Sequence, residues 1–511
     1  LAGAAFSILL IKKEHGRDYR VVLFSTLYAL LSFSTANMLN HMWLDPIVIF
    51  PIAILGLHKV LEENKPSLYI ISLALMIWTN FYIAYMGCIM LVIYAIYLLI
   101  RMPRPYNISK REHLIKQTGA FLRFGLYSIL AAGICAVLIG PTIYALIMSK
   151  GSYASDVVAT WNLHYPVVDF FSKMLPGAFS YDEVPSGLPN VFTGTISIIF
   201  AFFYFLNVRI NKRERFTSLL IVVFLILSMN ISKLNIFWHG MQYPVWYEYR
   251  FSWVFSFFIL IIAYRAIMRT DKISIYKMLL FVAVYIGMLT YFYFNLEHYS
   301  DYLELIHIII AAVIVILLTI FLLAGRTNRK ISIILVVIIS FAEIAFNAGV
   351  HTSVYNYEPL PEFSFYDKEM NTVLADIRPK ENEFWRIEKT FMHDNNDGMR
   401  FNFPTITHFN SALERKTVDL MSDLGFAVTK NSINGTNPTK LTDAIFGIKY
   451  YLHGNNITDD FISSVEVEVP GIKILKDKST RPDLLDFKKQ NGTEYIEVYS
   501  NDMTMPLGIL A

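Results

Sequence analysis

A short segment that ends at Arg250 concentrates side chains that can hold a phosphorylated sugar. Arg250 lies where an aromatic-rich loop meets the next apolar run. Its guanidinium can bind a phosphate through charge-assisted bidentate hydrogen bonds, and the flanking rings can stack on a sugar. The alternatives are an ion pair between Glu248 and Arg250 and, for the Trp and Tyr residues, an ordinary interfacial belt. The candidate sugar- or acceptor-binding residues here are Trp238, His239, Gln242, Trp246, Tyr247, Glu248 and Tyr249.

A second group of polar residues, in positions 37–46, separates two apolar runs. Asp45 can act as a general base or bind a sugar hydroxyl, with His41 and Trp43 beside it as binding residues. In the alternative interpretation, Asp45 caps the helix that follows and Pro46 takes its first helical position. The two roles are compatible.

The long loop of residues 149–190 carries a third polar group. It is typical of an amphipathic surface segment, and the alternative is a solvated acidic face. Its polar and aromatic residues are Asp156, Trp161, His164, Asp169, Asp182 and Glu183. Farther along the chain, Glu343 and Asn347 are one helical turn apart in an apolar run, which predicts a buried polar contact between helices.

The elements that must position these residues are membrane helices. The chain has 511 residues, of which 55% are hydrophobic, and its mean hydropathy of +0.45 is too high for soluble domains. Apolar runs recur about a dozen times through the first two-thirds. The run of residues 68–78 is the weakest, and it is predicted to be broken or re-entrant together with the run that follows Asn80. The runs are residues 1–11, 21–39, 47–61, 68–78, 82–100, 124–148, 191–206, 219–229, 251–264, 279–294, 306–324 and 331–350.

Basic residues divide the connecting loops into two alternating sets. One set is rich in Lys and Arg, and the positive-inside rule places it in the cytoplasm. The opposite set, which contains the three polar groups, is then outside, and so is the tail. The basic residues of the outer set are only Lys150, Lys173, Lys233 and Arg250.

The last part of the chain differs in composition from the rest. We predict a transmembrane core over residues 1–350 and an extracellular C-terminal domain over residues 351–511. Period-2 alternation in residues 384–388, 464–469 and 495–499 predicts half-buried strands in a mixed α/β or β-rich domain. The two cysteines, Cys88 and Cys135, lie in apolar runs, so no disulfide framework is predicted.

Several motifs are absent from the sequence. It contains no Gly-rich phosphate loop with Lys-Ser/Thr, no Cys/His metal-ligand spacing and no Asp-x-Asp pair in an outer loop. These absences argue against an ATP-driven pump and against a metal-dependent nucleotide-sugar enzyme, and no metal site or cofactor is predicted. The net charge of +3 is small and gives no indication of a nucleic-acid partner.

In this setting, three blocks resemble the YfhO family of bacterial membrane proteins: residues 42–45, 80–86 and 238–252. The resemblance implies a GT-C fold, a polytopic helical core with its site on the outer face, and an exterior domain. It also implies a glycosyltransferase that takes a sugar from a polyprenyl-phosphate donor such as undecaprenyl phosphate. The implied acceptor is a cell-surface polymer, notably lipoteichoic acid. Through the second block, Asn80 joins the candidate sugar- or acceptor-binding residues.

The GT-C pattern places a catalytic acidic residue in the first outer loop. Because Leu1 stands inside an apolar run, we expect a preceding span and loop, with the main catalytic base there and both ends of the chain truncated. Within the chain, Asp45 is the candidate catalytic residue, and Arg250 is the residue that binds the donor phosphate. A transporter or flippase of lipid-linked sugars and an envelope scaffold are the alternatives; the lack of internal repeats favours the enzyme.

Overall fold

The computed structural model describes residues 1–149, 160–325, 328–355, 357, 360–380, 383–391, 393–435, 439–454 and 486–505. The chain divides into two compact units, which are described separately. The first comprises Leu1–Pro141 and Val157–Tyr355, and the second comprises Thr142–Asp156 and Asn356–Ala511.

The first unit is built from helices that follow the apolar runs, which confirms the helical membrane class. Its helices are α1 Ala2–Lys13, α2 Tyr19–Ala29, α3 Ser32–Ala36, α4 His41–Glu63, α5 Ser67–Thr79, α6 Phe81–Arg101, α7 Lys110–Ile134, α8 Ala136–Met148 (which continues into the second unit), α9 Val167–Ser172, α10 Thr195–Leu206, α11 Lys212–Asn230, α12 Ser232–Trp238, α13 Ser252–Met268, α14 Ile275–Phe294, α15 Leu305–Ala324 and α16 Arg329–Ser353.

Length and composition decide which of these helices can cross a membrane. Within the described residues, six segments qualify: α2 with α3, α4, α6, α14, α15 and α16. The pair α7 and α8 qualifies as a seventh if it is one span, although it bends by 81°. Helices α5, α10 and α13 are apolar but shorter. The predicted dozen crossings and the side on which the tail lies stay predictions.

Helix α13 is the centre of the first unit. Nearly every side chain from Ser252 to Ile267 is buried, as expected of a helix surrounded by others. Its Phe257 packs edge-to-face on Phe6, Tyr28 and Phe50 at centroid distances of 4.9–5.9 Å. Because lipid tails are as apolar as these side chains, close packing rather than transfer out of water must hold such helices together.

Two helix starts bear directly on the candidate site. Helix α4 begins at His41, so Asp45 lies in its second turn and Pro46 inside the helix. The alternative in which Asp45 caps this helix is therefore wrong. Helix α6 begins after Asn80, whose side chain accepts a hydrogen bond from the amide of Ile83 at 2.9 Å and caps the helix.

The second unit is a mixed α/β structure, as predicted. One sheet has the order β1-β5-β7-β6, with β1 parallel to β5 and the other pairs antiparallel, and a smaller antiparallel sheet has the order β2-β4-β3. The elements are α17 Leu360–Ile377, β1 Arg386–Lys389, α18 Asp397–Arg400, β2 His408–Phe409, α19 Arg415–Asp423, β3 Ala427–Val428, β4 Ser432–Asn434, α20 Lys440–Ile445, β5 Ile448–Gly454, β6 Lys488–Gln490 and β7 Ile496–Ser500.

Strands β1 and β7 confirm two of the three alternating segments, and residues 464–469 lie outside the described residues. In β1, Glu388 is buried and accepts hydrogen bonds from the hydroxyls of Thr405 and Thr407 and from the amide of Thr407. A carboxylate with this many donors is a structural group of the domain interior.

Candidate site in the aromatic loop

The connection between α12 and α13, residues 239–251, is named the aromatic loop here. Four of its non-glycine residues have φ angles between 48° and 65°, a region that L-residues rarely adopt. Such positions persist only where the surroundings impose them, and they cluster at functional sites. The four are Met241, Trp246, Tyr247 and Tyr249.

The guanidinium of Arg250 holds this conformation. Its Nε donates to the carbonyl of Tyr247 at 3.1 Å, and its Nη2 donates to the carbonyls of Val245 and Trp246 at 2.9 and 3.0 Å. A rigid fork of donors suits three successive carbonyls that curve around it. A bidentate grip on phosphate through Nε and Nη2 would compete with these bonds, and the guanidinium also forms a hydrogen bond with the side chain of Tyr82.

Arg250 also joins the two polar groups that the sequence kept apart. Its guanidinium lies 4.8 Å from the ring centre of Trp43 in α4 and 5.3 Å from that of Tyr82 in α6. Trp43 in turn packs edge-to-face on Tyr247 at 5.2 Å. Cation–π contacts of this kind fix the position of a charge without neutralising it. The positive charge therefore stays available beside the aromatic loop.

His239 is a buried, neutral side chain near Arg250. It is 3% exposed, and its Nδ1 is 2.6 Å from the hydroxyl of Tyr82. Burial, with a smaller effect from the charge of Arg250, lowers the pKa of His239 to about 3. Its buried Nε2 has no hydrogen-bond partner among the described residues. Trp238 next to it stacks on Phe251 at 4.6 Å and closes the base of the loop.

A narrow cleft with a cavity volume of about 20 Å³ opens beside the aromatic loop, and we call it the outer cleft after the side that the sequence predicts for this loop. Arg250 and Glu248 both line it, together with Asn37 and Asn190. The buried Oδ1 of Asn190 has no hydrogen-bond partner among the described residues. Burial raises the pKa of Glu248, and a hydrogen bond with Tyr249 opposes that rise.

The structure describes both Glu248 and Arg250, and they form no ion pair, so the predicted alternative of a pair between them is wrong. Arg250 uses the loop carbonyls as its acceptors, and the carboxylate of Glu248 lies beside Tyr249. A carboxylate and a cation therefore share one cleft without neutralising each other in a direct pair.

The third polar group is only partly a solvated face. Asp169 is buried and accepts a hydrogen bond from the hydroxyl of Tyr299 at 2.8 Å, and Glu183 forms a buried ion pair with Lys173 at 2.7 Å. The acidic-face interpretation is wrong for these two carboxylates. Asp182 is exposed, as that interpretation expects.

Two other members of this group complete the comparison with the sequence. His164 reaches the site, because its Nδ1 lies 3.2 Å from the hydroxyl of Tyr249. Trp161 is exposed and lies under the ammonium of Lys233. Asp156 lies outside the described residues.

Several predicted residues stay outside the outer cleft. His41 and Asp45 are exposed on the first turns of α4, and neither lines the cleft. Trp246 is exposed, and Gln242 is half-buried, on the loop itself. Asn80 caps α6, and through that helix start it positions Tyr82.

Two features of the structure were not predicted from the sequence. One is the contact of Tyr82 with Arg250 and His239, which its position two residues after a helix-capping Asn could have indicated. On the side of the basic loops, Arg265 is buried between Glu14 and Glu214, at 3.1 and 2.9 Å.

Glu343 and Asn347 form the predicted buried contacts. Glu343 of α16 accepts a hydrogen bond from the amide of Thr195 at 2.9 Å, and Asn347 accepts one from the amide of Gly177 at 3.0 Å. Within the described residues, no three His, Cys, Asp or Glu side chains are grouped so that they could hold a metal ion.

A family model described as "Bacterial membrane protein YfhO" matches residues 1–511. The chain is also similar to a protein of Bacillus subtilis (strain 168) that carries the name "Uncharacterized protein YfhO". The two are 21% identical over 479 residues, which make up 90% of this chain and 49% of that relative. The chain therefore spans about half the length of the curated relative.

Proposed function

The chain belongs to the YfhO family of bacterial membrane proteins, and from that premise we propose that it is a membrane glycosyltransferase. Its donor is a sugar on a polyprenyl phosphate, and its acceptor is a cell-surface polymer such as lipoteichoic acid, on the outer face. The observation that carries the proposal is the outer cleft, which is lined by both a carboxylate and an arginine.

The arginine provides the electrostatic part of the reaction. When the bond between the anomeric carbon and the phosphate oxygen breaks, negative charge develops on the departing polyprenyl phosphate. A cation that is already fixed stabilises this charge without reorganising during the reaction. Arg250 is fixed by three carbonyls and two aromatic rings, and the role that we propose for it is to stabilise the charge of the donor phosphate.

The carboxylate provides the proton acceptor. Glu248 takes the proton of an acceptor hydroxyl, whose oxygen then forms the new bond to the anomeric carbon as the phosphate leaves. Burial raises the pKa of Glu248 above its usual range, which makes it a stronger base than an exposed carboxylate. Asp45 is exposed and does not line the cleft, so Glu248 replaces it as our candidate base within this chain.

An unpaired polar atom in the cleft supports a hydroxyl-bearing ligand. Asn190 lines the outer cleft, and its buried Oδ1 has no partner among the described residues. An unsatisfied buried polar group costs about 1–3 kcal/mol, which a ligand that completes the bond recovers. A hydroxyl group of a sugar can donate to this oxygen.

Replacing Glu248 by Gln tests this proposal in cells. The variant keeps the size of the side chain but cannot accept the proton, so we expect the glycosylation rate of surface polymers to fall by about 10²–10⁴-fold. Mass analysis of teichoic acids from cells lacking the native gene measures this loss. The matched control is Asp182→Asn, which removes an exposed carboxylate outside the cleft.

Normal glycosylation in the Glu248→Gln cells, with the protein inserted at wild-type levels, would remove Glu248 from the mechanism. Movement of the lipid-linked sugar across the membrane without transfer to any polymer would favour the flippase alternative.

A further inference from the structure

One face of α17 in the second unit carries polar side chains. Asp367 and Asn371 are one turn apart, and Arg378, just after the helix end, falls on the same face because 11 residues make about three turns. The Nη2 of Arg378 donates to the Oδ1 of Asn371 at 3.2 Å. The buried Nε of Arg378 has no hydrogen-bond partner among the described residues.

A second wall is formed by the end of α18 and the residues after it, and an ion pair joins it to the first wall. Arg400, at the end of α18, donates to Asp367 at 2.8 Å, and its guanidinium lies 3.9 Å from the ring centre of Phe363. The two residues that follow Arg400, Phe401 and Asn402, complete the wall. The space that these residues line has a volume of about 340 Å³, and we call it the α17 recess.

The charges and donors of the α17 recess define its ligand chemistry. Two guanidinium groups and one carboxylate give an excess of positive charge. Guanidinium groups match the geometry of phosphate oxygens, and their weak hydration makes them suited to phosphate recognition. The side chains of Asp367, Asn371 and Asn402 can accept hydrogen bonds from hydroxyl groups. A volume of this size is in the usual range of ligand sites.

We propose that the α17 recess binds a phosphate-bearing polyol or sugar chain, and that it holds the acceptor polymer for the transfer reaction. This inference rests on the proposed function for the identity of the polymer as acceptor. The phosphate of one repeat lies against Arg378 and Arg400, and the hydroxyl groups of that repeat contact Asp367 and Asn371. The same phosphate chemistry occurs in anionic lipid headgroups and in free phosphate, so an experiment must separate these sources.

Binding by the full chain in nanodiscs of phosphatidylcholine tests the proposal. The probe is a fluorescent poly(glycerol phosphate) oligomer, compared with inorganic phosphate and with a neutral dextran of similar size. We expect the oligomer to bind in preference to both, and we expect binding to weaken as salt is raised. Arg378→Gln should weaken it by about tenfold or more, because a charge-assisted hydrogen bond is lost.

Two further variants separate a binding defect from a folding defect. Arg378→Lys keeps the charge but not the fork, so it should bind with intermediate affinity. Arg415→Gln removes an exposed arginine of the same unit that does not line the recess, so its affinity should be that of the wild type. An equal loss in Arg415→Gln, equal binding of dextran, or binding that requires phosphatidylglycerol in the nanodisc would overturn the proposal.

The same assay distinguishes this inference from the proposed function. Glu248→Gln should bind the oligomer normally while it loses transfer. If Glu248→Gln retains transfer and Arg378→Gln loses oligomer binding, the proposed mechanism is wrong, but the proposal that the recess binds the polymer is supported. If Arg378→Gln binds normally and Glu248→Gln loses transfer, the recess fails and the mechanism stands.

Discussion

Arg250 combines two tasks in one side chain. Its Nε and Nη2 hold three loop carbonyls, and its charge lies between the rings of Trp43 and Tyr82. The sequence singled out Arg250 because a lone arginine beside an outer span departs from the charge bias of membrane loops. The sequence could not predict that Nε and Nη2 of Arg250 bond to carbonyls of the same loop, because the curvature of a backbone cannot be read from composition.

Replacing Arg250 by Lys tests this double role. Lysine keeps the positive charge but lacks the planar fork, so it cannot hold three carbonyls at once. We expect sugar transfer to fall by about 10²-fold or more, and residues 239–251 to become more sensitive to protease. The control is Arg209→Lys, which changes an arginine that is exposed on another loop. Wild-type transfer by Arg250→Lys would show that only the charge matters.

The buried His239 predicts a pH dependence of stability. Its folded pKa of about 3 is below the ordinary 6.5, so the unfolded chain binds the extra proton between these values. The contribution of His239 to stability is therefore complete above about pH 6.5 and is lost as the pH falls toward 3.

We expect the loss of thermal stability between pH 7 and pH 5 to be smaller in His239→Gln than in the wild type. Unfolding followed by tryptophan fluorescence in nanodiscs measures the difference. His164→Gln is the control, because that histidine also contacts the site but lies nearer its surface. Identical pH slopes in His239→Gln and the wild type would contradict the burial of a neutral His239.

At the scale of elements, hydropathy located the helices but not their bends. Residues 124–148 read as one apolar run, yet α7 and α8 meet at Cys135 with an 81° bend. Residues 21–39 likewise divide into α2 and α3. Hydropathy depends on composition, which is the same for a straight and a bent helix. Caps were easier to anticipate where a polar residue interrupts an apolar run, as Asn80 does.

Replacing Asn80 by Ala should remove the cap of α6. The amide of Ile83 loses its acceptor, which costs about 1 kcal/mol of stability. Because Tyr82 stands in the first turn of α6 and contacts both His239 and Arg250, we also expect weaker sugar transfer. Thermal unfolding and transfer assays of Asn80→Ala and Asn80→Asp measure both effects, and Asp should retain the cap. A full loss in Asn80→Asp would indicate that Asn80 acts directly on the ligand instead.

A group of buried charges near the basic loops connects three helices. Arg265 of α13 contacts Glu14, just after α1, and Glu214 of α11. Removing Arg265 leaves Glu214 without its ion-pair partner and leaves Glu14 with the longer contacts to Arg101 at 3.6 Å and Arg269 at 4.0 Å. We expect this loss to cost about 3–5 kcal/mol. Arg265→Met should therefore lower the unfolding temperature strongly, and adding Glu14→Gln and Glu214→Gln should restore part of it.

Arg269→Met is the control for this experiment, because that side chain is partly exposed and 4.0 Å from Glu14. An equal destabilisation by Arg269→Met, or no recovery in the triple variant, would show that the buried pairing is not what Arg265 contributes.

At the scale of the whole molecule, the division into an apolar helical unit and a mixed α/β unit was visible in the sequence. The composition changes near residue 351, and one structural boundary falls at Tyr355. The second unit also includes Thr142–Asp156, which was predicted to belong to the core of residues 1–350. The small sheets were harder to anticipate. Strands of two or three residues such as β2 and β3 are too short for an alternating pattern, and the parallel pairing of β1 with β5 joins segments far apart in the chain.

The outer cleft lies in the first unit and the α17 recess lies in the second. A single arginine among aromatic residues was enough to predict a site near the outer cleft. The α17 recess could not be predicted in this way, because it combines residues of a helix face with residues of a later turn, and no local pattern connects them. A function that needs both a lipid-linked donor and a polymeric acceptor accounts for the two sites.

Sugar transfer by purified protein in proteoliposomes tests whether the protein is a glycosyltransferase. The liposomes contain a radiolabelled sugar on undecaprenyl phosphate, and lipoteichoic acid is added outside. We predict that the wild type moves label into the polymer without nucleotide, and that Glu248→Gln and Arg250→Lys do so at least 10²-fold more slowly, while Asp182→Asn matches the wild type. Transfer at the wild-type rate by both cleft variants, or no transfer by a correctly inserted wild-type protein, would contradict the account.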